Sequence, residues 1–180
     1  MKPIVTREAE LAGATTTTVS SADAKTTFIL RRVQPALTGL IDGSLSTLAP
    51  IFAVALATHQ TRYAFFAGLA TAIGAGVSMA FSEGLSDNGE LTGRGSGYLR
   101  GGITGVGTFL GGILHTLPFL ITQYSVALVV AVVVIALELL TLAWIRSRFF
   151  GTGFLGSFVS VALGGAIIVA ISAALGGVAG

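Results

Sequence analysis

Five long apolar stretches constrain the fold of this chain more than any motif does. They lie at about 35–57, 63–84, 99–122, 124–146 and 153–178. An α-helix needs about 20 residues to cross a hydrocarbon core about 30 Å thick, and each stretch has that length. Long uninterrupted apolar runs predict helices, because membrane strands alternate in polarity instead. We therefore expect an all-α membrane protein with five transmembrane helices per subunit.

The composition agrees with a membrane protein and excludes other classes. Of the 180 residues, 53% are hydrophobic and only 10% are charged, whereas a typical soluble domain is about 25% charged. The chain has no cysteine, so it forms neither disulfides nor thiolate metal sites. Its net charge of +2 reflects basic residues that flank the membrane, and we expect no nucleic-acid partner.

The first 28 residues differ from the rest of the chain. They are rich in threonine with scattered charges, and they lack the apolar run of a signal peptide. We predict that residues 1–28 form a disordered or weakly helical cytoplasmic tail. Residues 29–180 are then one membrane domain.

The basic residues predict how this domain is oriented. Seven of those close to the membrane share one side, and Arg62 falls on the other side. The seven are Lys25, Arg31, Arg32, Arg94, Arg100, Arg146 and Arg148. Because cytoplasmic loops carry an excess of Lys and Arg, the N-terminus is predicted in the cytoplasm and the C-terminus outside.

Acidic side chains within the apolar stretches mark a candidate site. Asp42 lies about 10 Å from the cytoplasmic end of the first stretch, and Glu83 lies near the cytoplasmic end of the second. An ionised group at such a depth costs at least about 2.5 kcal/mol on insertion scales, so it usually has a partner or lines an ion pathway. Glu138 of the fourth stretch is expected in the same layer, whereas His115 of the third is expected in the opposite leaflet.

The second stretch carries a polar stripe. Ala75, Met79, Glu83 and Asp87 follow one another at i, i+4 spacing, which places them on one helix face. Glu90 extends the acidic end of this stripe. We predict a path of metal access through Asp87 and Glu90 that leads to Glu83 and Met79.

A matching stripe on the first stretch supplies further oxygen atoms. Thr38, Asp42 and Ser46 also follow at i, i+4 spacing. Carboxylate and hydroxyl oxygens suit hard cations, whereas a thioether favours softer transition metals. The combination predicts a metal site of Asp42, Met79 and Glu83 for an ion such as Fe²⁺.

Each of these residues also has a structural interpretation. Met79 fills gaps in a core well, and Glu83 is compatible with an ordinary place at headgroup level. Glu138 is compatible with an arginine pair or a bond between subunits. His115 fits a hydrogen-bonded packing role, although histidine also suits proton transfer. We keep Ser46, His115 and Glu138 as a candidate proton path or second polar site.

Glycine pairs at GxxxG spacing predict close helix packing and a compact bundle or dimer. The pairs are Gly39 with Gly43, Gly101 with Gly105, Gly107 with Gly111, and Gly176 with Gly180. Pro50 and Pro118 are expected to kink their helices. A dimer with the first helix at its two-fold axis would bring two copies of Asp42 and Met79 together.

Several segments resemble the vacuolar iron transporter family. TGLIDGSLST at 38–47 and AGVSMAFSEGLS at 75–86 are similar to its first two helices, and GTFLGGILHTLPFLI at 107–121 is similar to its third. DNGELTGRGS at 87–96 and LHTLPFLI within the third helix resemble the membrane half of bacterial membrane-bound ferritins, longer proteins that add a ferritin-like domain.

The resemblance implies a homodimer of five-helix subunits in a bacterial plasma membrane. It implies export of Fe²⁺, with Mn²⁺ as a second candidate, from the cytoplasm in exchange for protons. It also implies that Asp42, Met79 and Glu83 line the metal pathway. Metal and protons would then compete for the same carboxylates.

The chain departs from the family at Ile41, Ser82 and Gly84, and it lacks a glutamate-rich insertion between the second and third helices. It has no Glu-x-x-His pair of the kind a di-iron site uses, so we expect no ferroxidase. It also has no recognisable Ser-His, His-Glu or paired-aspartate constellation, so we expect no enzyme, and we expect no permanently bound cofactor. A passive divalent-cation channel and a membrane anchor or assembly module without transport remain alternatives.

Overall fold

A computed structural model describes residues 21–90 and 92–179, and these residues form helices and helical turns without a strand. The six α-helices are α1 (Ser21–Phe28), α2 (Gln34–Thr58), α3 (Thr61–Ser86), α4 (Gly97–Leu114), α5 (Tyr124–Phe150) and α6 (Phe154–Ala179). A π-helical turn, Ile29–Val33, joins α1 to α2, and a 3₁₀ turn, Leu117–Leu120, lies between α4 and α5.

Four helical stretches are long and apolar enough to cross a membrane: Asp23–Thr58, Thr61–Ser86, Tyr124–Phe150 and Phe154–Gly176. The first three of them contain the predicted first, second and fourth spans, and the last overlaps the predicted fifth span except for one residue at its start and two at its end. In lipid every backbone polar group must be bonded within the segment, which is why apolar runs of this length form helices. The chain therefore has the architecture of an all-α, multi-pass membrane protein.

The third predicted span is not one continuous helix, and this prediction was wrong. α4 ends at Leu114, and the chain turns at His115 before the 3₁₀ turn. Pro118 has no N–H to donate, and its ring disfavours a helical residue before it. The helix therefore stops ahead of the proline instead of bending at it, whereas Pro50 lies inside α2, which continues past it.

The segment from Gly97 to Gln123 nevertheless runs from one end of the bundle to the other. At one end the His59 ring, after α2, contacts the Tyr124 ring that begins α5, with centroids 4.9 Å apart. At the other end Arg31 Nε, before α2, donates to the Gly93 carbonyl in the α3–α4 loop at 3.3 Å. The distance between these ends is covered partly by α4 and partly by the turns after it.

Glycine lets α4 pack between α2 and α3. A Cβ on Gly39 or Gly43 of α2 would overlap the backbone carbonyl of Thr104 or Thr108 in α4. On the other side of α4, a Cβ on Gly105 would lie 2.6 Å from the Gly76 carbonyl of α3. These approaches confirm the close packing that the glycine pairs predict, although Gly180 lies outside the described residues.

An apolar core occupies the His59 end of the bundle. It is formed by Leu48, Ile51, Phe52, Ala55, Ala64, Phe119, Ala127 and Ala131. These side chains come from α2, α3, α5 and the 3₁₀ turn, whose Phe119 is buried in the core while Leu117 and Leu120 are exposed. Of the predicted tail, Ser21–Phe28 is helical, and residues 1–20 lie outside the described residues.

Candidate functional site

Glu83 and Asp87, predicted as part of an acidic access path, are both paired with arginines. Arg100 Nε donates to Glu83 Oε1 at 2.8 Å, and Arg94 Nη2 donates to the same oxygen at 3.0 Å. Arg100 Nη2 and Arg94 Nη1 lie 3.0 Å and 3.7 Å from Asp87 Oδ2. Two carboxylates thus meet two guanidinium groups, so the cluster is close to neutral and has less attraction for a cation than free acids would.

The four charges hold the α3–α4 connection together. Glu83 lies in the last turn of α3, and Arg100 lies in the first turn of α4. Each charge is placed unfavourably for the dipole of its own helix, but the two helix ends lie side by side and the charges compensate each other. The Arg100 side chain is only 1% exposed, and its Nη1 also donates to the Gly95 carbonyl at 2.8 Å.

Sequence reasoning missed both arginine partners. Arg100 falls inside the predicted span 99–122, so the rule that a charge in a membrane segment has a partner applies to it as well as to the acids. Applied to Arg100, that rule would have indicated Glu83 or Asp87. The third predicted acid of the access path, Glu90, is exposed.

Asp42 and Ser46 lie one turn apart in α2 and lack partners in the part of the chain that the structure describes. Asp42 is half-buried and makes neither an ion pair nor a hydrogen bond there. Ser46 Oγ is buried and likewise has no hydrogen-bond partner. Met79 is half-buried in α3, which packs against α2. Within residues 21–90 and 92–179 no three Asp, Glu or His side chains gather in a way that could hold a metal ion.

Among the described residues, an extended polar contact inside the bundle joins α2, α5 and the turn that follows α4. His115 Nδ1 lies 2.9 Å from Glu138 Oε2, and His115 Nε2 lies 2.5 Å from Thr47 Oγ1. Ser44 Oγ lies 2.6 Å from Glu138 Oε1. We refer to Ser44, Thr47, His115 and Glu138 as the central polar cluster.

The central polar cluster corrects the predicted depth of His115. The sequence placed His115 and Glu138 in opposite leaflets, because the third span was taken to continue to residue 122. Since α4 ends at Leu114, His115 lies at the helix terminus inside the bundle, where it meets Glu138. Ser44 and Glu138 both lie near the middle of their helices, Gln34–Thr58 and Tyr124–Phe150, so the cluster lies near mid-membrane depth.

The central polar cluster is almost sealed from its surroundings. The His115 side chain is 1% exposed and that of Glu138 is 8% exposed. Glu138 lines a cavity of about 290 Å³ whose other walls are apolar side chains and Thr141. Sequence reasoning kept His115 and Glu138 as candidates but missed Ser44 and Thr47, whose i, i+3 spacing on α2 was the available signal.

No family model, curated protein or solved structure matches the chain. The function therefore has to be argued from the chemistry of these sites.

Proposed function

We propose that the chain exports a divalent transition-metal ion from the cytoplasm in exchange for protons, with Fe²⁺ as the first candidate and Mn²⁺ as the second. The observation that carries the proposal is the pair of unpartnered polar groups on α2, Asp42 and Ser46. An anionic group at membrane depth is costly, so one without a protein partner is expected to meet water or a cation.

A second copy of the chain would complete the metal site. One copy offers too few ligands, since the described residues contain no group of three acidic or histidine side chains that could hold a metal ion. In a two-fold dimer the same surface of each copy faces its counterpart. Two copies of Asp42 and Ser46 would then supply four oxygen ligands, and two copies of Met79 would add thioethers.

The nature of the ligands favours a transition metal over magnesium or calcium. Oxygen ligands alone suit hard cations, whereas sulfur from Met79 increases the preference for softer ions. The resemblance of segments 38–47 and 75–86 to vacuolar iron transporters supports Fe²⁺ in particular. Nothing in this proposal requires a permanently bound cofactor, because the metal is the transported substrate.

Metal access past Glu83 and Asp87 would involve the arginine pairs. A cation that approaches Glu83 competes with Arg94, whose side chain is 26% exposed, more easily than with the buried Arg100. We propose that Arg94 moves aside while Arg100 keeps the α3–α4 connection in place. Glu83 and Asp87 would then be free to bind the incoming cation only while Arg94 is displaced.

We further propose five crossings of a bacterial plasma membrane, with the N-terminus in the cytoplasm and the C-terminus outside. Segment 97–123 would be the third crossing, since it joins the two ends of the bundle. The positions of the basic residues support this orientation.

The test is metal-driven proton movement in vesicles that contain the purified chain and a trapped pH dye. Asp42→Asn keeps the side-chain shape and removes the charge, so we expect at least about a tenfold loss of exchange. Ser160→Ala is the matched control, because among residues 21–90 and 92–179 the Ser160 hydroxyl bonds only the Gly156 carbonyl of its own helix, at 2.8 Å. This control should exchange metal for protons at the wild-type rate.

The other two functions give different results in the same vesicles. A passive channel would carry metal without moving protons. A membrane anchor would carry neither, and Asp42→Asn would change only its stability. Undiminished exchange by Asp42→Asn would contradict the proposed pathway.

A further inference from the structure

The hydroxyl groups of the central polar cluster each have two possible acceptors. Ser44 Oγ lies 2.6 Å from the Leu40 carbonyl and also 2.6 Å from Glu138 Oε1. Thr47 Oγ1 lies 2.8 Å from the Gly43 carbonyl and 2.5 Å from His115 Nε2. A hydroxyl has one proton to donate and can accept at the same time. Each hydroxyl can therefore turn its proton either to its own helix or to the ionisable partner.

This arrangement satisfies every polar group in more than one protonation state. With neutral His115, Nδ1–H donates to Glu138, Nε2 accepts from Thr47, and the Glu138 carboxylate accepts from Ser44. When a proton is added at Nε2, the imidazolium donates to Thr47, whose own proton turns to the Gly43 carbonyl. When a further proton is added at Glu138 Oε1, the acid donates to Ser44, whose proton turns to the Leu40 carbonyl.

These states differ only in proton positions, and no heavy atom needs to move. That property matters in a membrane interior, where an unsatisfied buried polar group costs several kcal/mol. A purely structural pair needs only one set of hydrogen bonds. Four side chains that remain bonded in three protonation states suit a site that binds and releases protons.

His115 and Glu138 are each other's main electrostatic partner within the part of the chain that the structure describes. Among the described residues, the contacts of His115 and Glu138 include no third charged group. On α2 the other ionisable group of the membrane interior is Asp42, which has no contact with the pair. The charged groups of α3 (Arg62 and Glu83) and of α5 (Arg146 and Arg148) lie towards the helix ends, as do Tyr98 and Arg100 of α4, and α6 contains no titratable residue.

Glu138 is the member of the cluster that borders a cavity. The cavity of about 290 Å³ beside it runs along α5 from Val134 to Ile145, between α2 and α4. His115 is less exposed than Glu138 and does not line this cavity, but it is in contact with Glu138. A proton that arrives at Glu138 is therefore one hydrogen bond from His115.

We propose that Ser44, Thr47, His115 and Glu138 form a proton-binding site in the centre of the membrane domain, separate from the Asp42 metal site. Its part in driving metal export rests on the proposed function, but its ability to bind protons does not. The proton is taken up at Glu138 or His115 and released by the reverse step, with no covalent change elsewhere. With both sites present, the metal ion would bind at Asp42 while protons would bind at the central polar cluster.

The experiment follows proton binding in the purified full chain without metal. The chain has two histidines, so His59→Gln with ¹⁵N-labelled histidine reports His115 alone by nuclear magnetic resonance. Infrared difference spectra between high and low pH report the protonated carboxyl of Glu138. We expect at least one of these two signals to report proton uptake when the pH is lowered.

Matched variants assign the signals to the cluster. Glu138→Gln keeps the hydrogen bonds to His115 and Ser44 but cannot ionise, so it should remove the Glu138 band and change the pH response of the His115 signal. Thr141→Ala is the control, because Thr141 lines the same cavity and its hydroxyl bonds only the Leu137 carbonyl, at 2.7 Å, within the described part of the chain. It should leave both signals unchanged.

The outcomes separate this inference from the proposed function. If neither His115 nor Glu138 titrates in the wild-type chain, the cluster is a fixed structural contact and the inference is overturned, even where vesicles exchange metal for protons. If the signals titrate and Glu138→Gln alters them while vesicles show no exchange, the proton site stands and the proposed function fails. Signals that titrate identically in Glu138→Gln also overturn the inference.

Discussion

Charged side chains within this protein are arranged in two contrasting ways. Glu83, Asp87, Arg94 and Arg100 form a compensated cluster at one end of the bundle, whereas Asp42 has no partner among the residues that the structure describes. Pairing removes most of the cost of burial, and it also removes most of the attraction for an external ion. The residue that lacks a partner is therefore the better candidate for binding a cation.

Removal of the buried arginine should destabilise the fold more than removal of the exposed one. Arg100→Gln leaves Glu83 and Asp87 without their buried partner, and we expect a loss of about 2–4 kcal/mol in the free energy of unfolding. Arg94→Gln is the control, because its side chain is 26% exposed, and it should cost less than about 1 kcal/mol. Denaturant unfolding in detergent measures both, and equal losses would contradict the structural role of Arg100.

The sequence singled out polar residues within the apolar stretches, but it did not indicate their contacts. Four polar residues stand out because they interrupt apolar stretches: Asp42, Glu83, His115 and Glu138. In the structure Asp42 lacks a partner among the described residues, Glu83 pairs with arginines, and His115 contacts Glu138. The contact of His115 with Glu138 could not be predicted, because it depends on where α4 ends and how α4 and α5 are rotated. The same holds for Arg100, whose partners lie across a loop.

At the scale of secondary structure, α4 differs from its neighbours in being packed through its backbone. It meets α2 and α3 on opposite sides, and glycine on each contact face allows carbonyl groups to approach closely. In a membrane the hydrophobic effect contributes little between helices, so such close van der Waals packing stabilises the bundle. The packing of α4 in the bundle therefore depends on the glycines of its two contact faces.

Two adjacent glycines test this description of α4. A Cβ on Gly101 would overlap the Ala80 carbonyl of α3, whereas a Cβ on Gly102 would meet nothing within 4 Å. Gly101→Ala should therefore lower the free energy of unfolding by about 1–3 kcal/mol through overpacking. Gly102→Ala should be neutral or stabilise by about 0.5–1 kcal/mol, because alanine favours a helix over glycine. Thermal unfolding in detergent compares them, and similar losses would refute the packing described for α4.

For the whole molecule, the arrangement of helix ends supports the proposed five crossings. The His59–Tyr124 contact places the loop before α3 and the start of α5 at one end, and the bond from Arg31 to Gly93 places the loop before α4 at the other. Segment 97–123 joins the two ends, and part of its irregular stretch, at His115, Thr116, Pro118 and Phe119, is buried against the other helices, as lipid favours for non-helical backbone.

Cysteine labelling can test this topology directly, since the chain has no native cysteine. Gln60, Ser96, Gln123 and Thr152 are exposed positions in the connections. A membrane-impermeant maleimide added outside intact cells should label Gln60→Cys and Gln123→Cys but not Ser96→Cys or Thr152→Cys. Labelling of Gln123→Cys and Ser96→Cys from the same side would rule out a third crossing.

The proposed dimer makes a separate prediction about mixed subunits. If both copies of Asp42 are needed, an equal mixture of wild type and Asp42→Asn should keep about a quarter of the exchange activity, because only about a quarter of the dimers carry two wild-type chains. Independent monomers would keep about half. Vesicles prepared from mixtures refolded or co-expressed at known ratios measure this fraction, with Ser160→Ala as the inert partner in the control mixture.

The sequence by itself determined the helices and their apolar character, because apolar length and the need to satisfy backbone groups in lipid leave few alternatives. It also determined the close packing around α4, because glycine spacing is a local property of the chain. Only the tertiary structure decided which charges meet. Because Pro118 ends α4 early, His115 lies at a different depth in the membrane from the one predicted. Its contact with Glu138 then depends on how α4 and α5 are rotated and shifted along their axes, which no local pattern specifies.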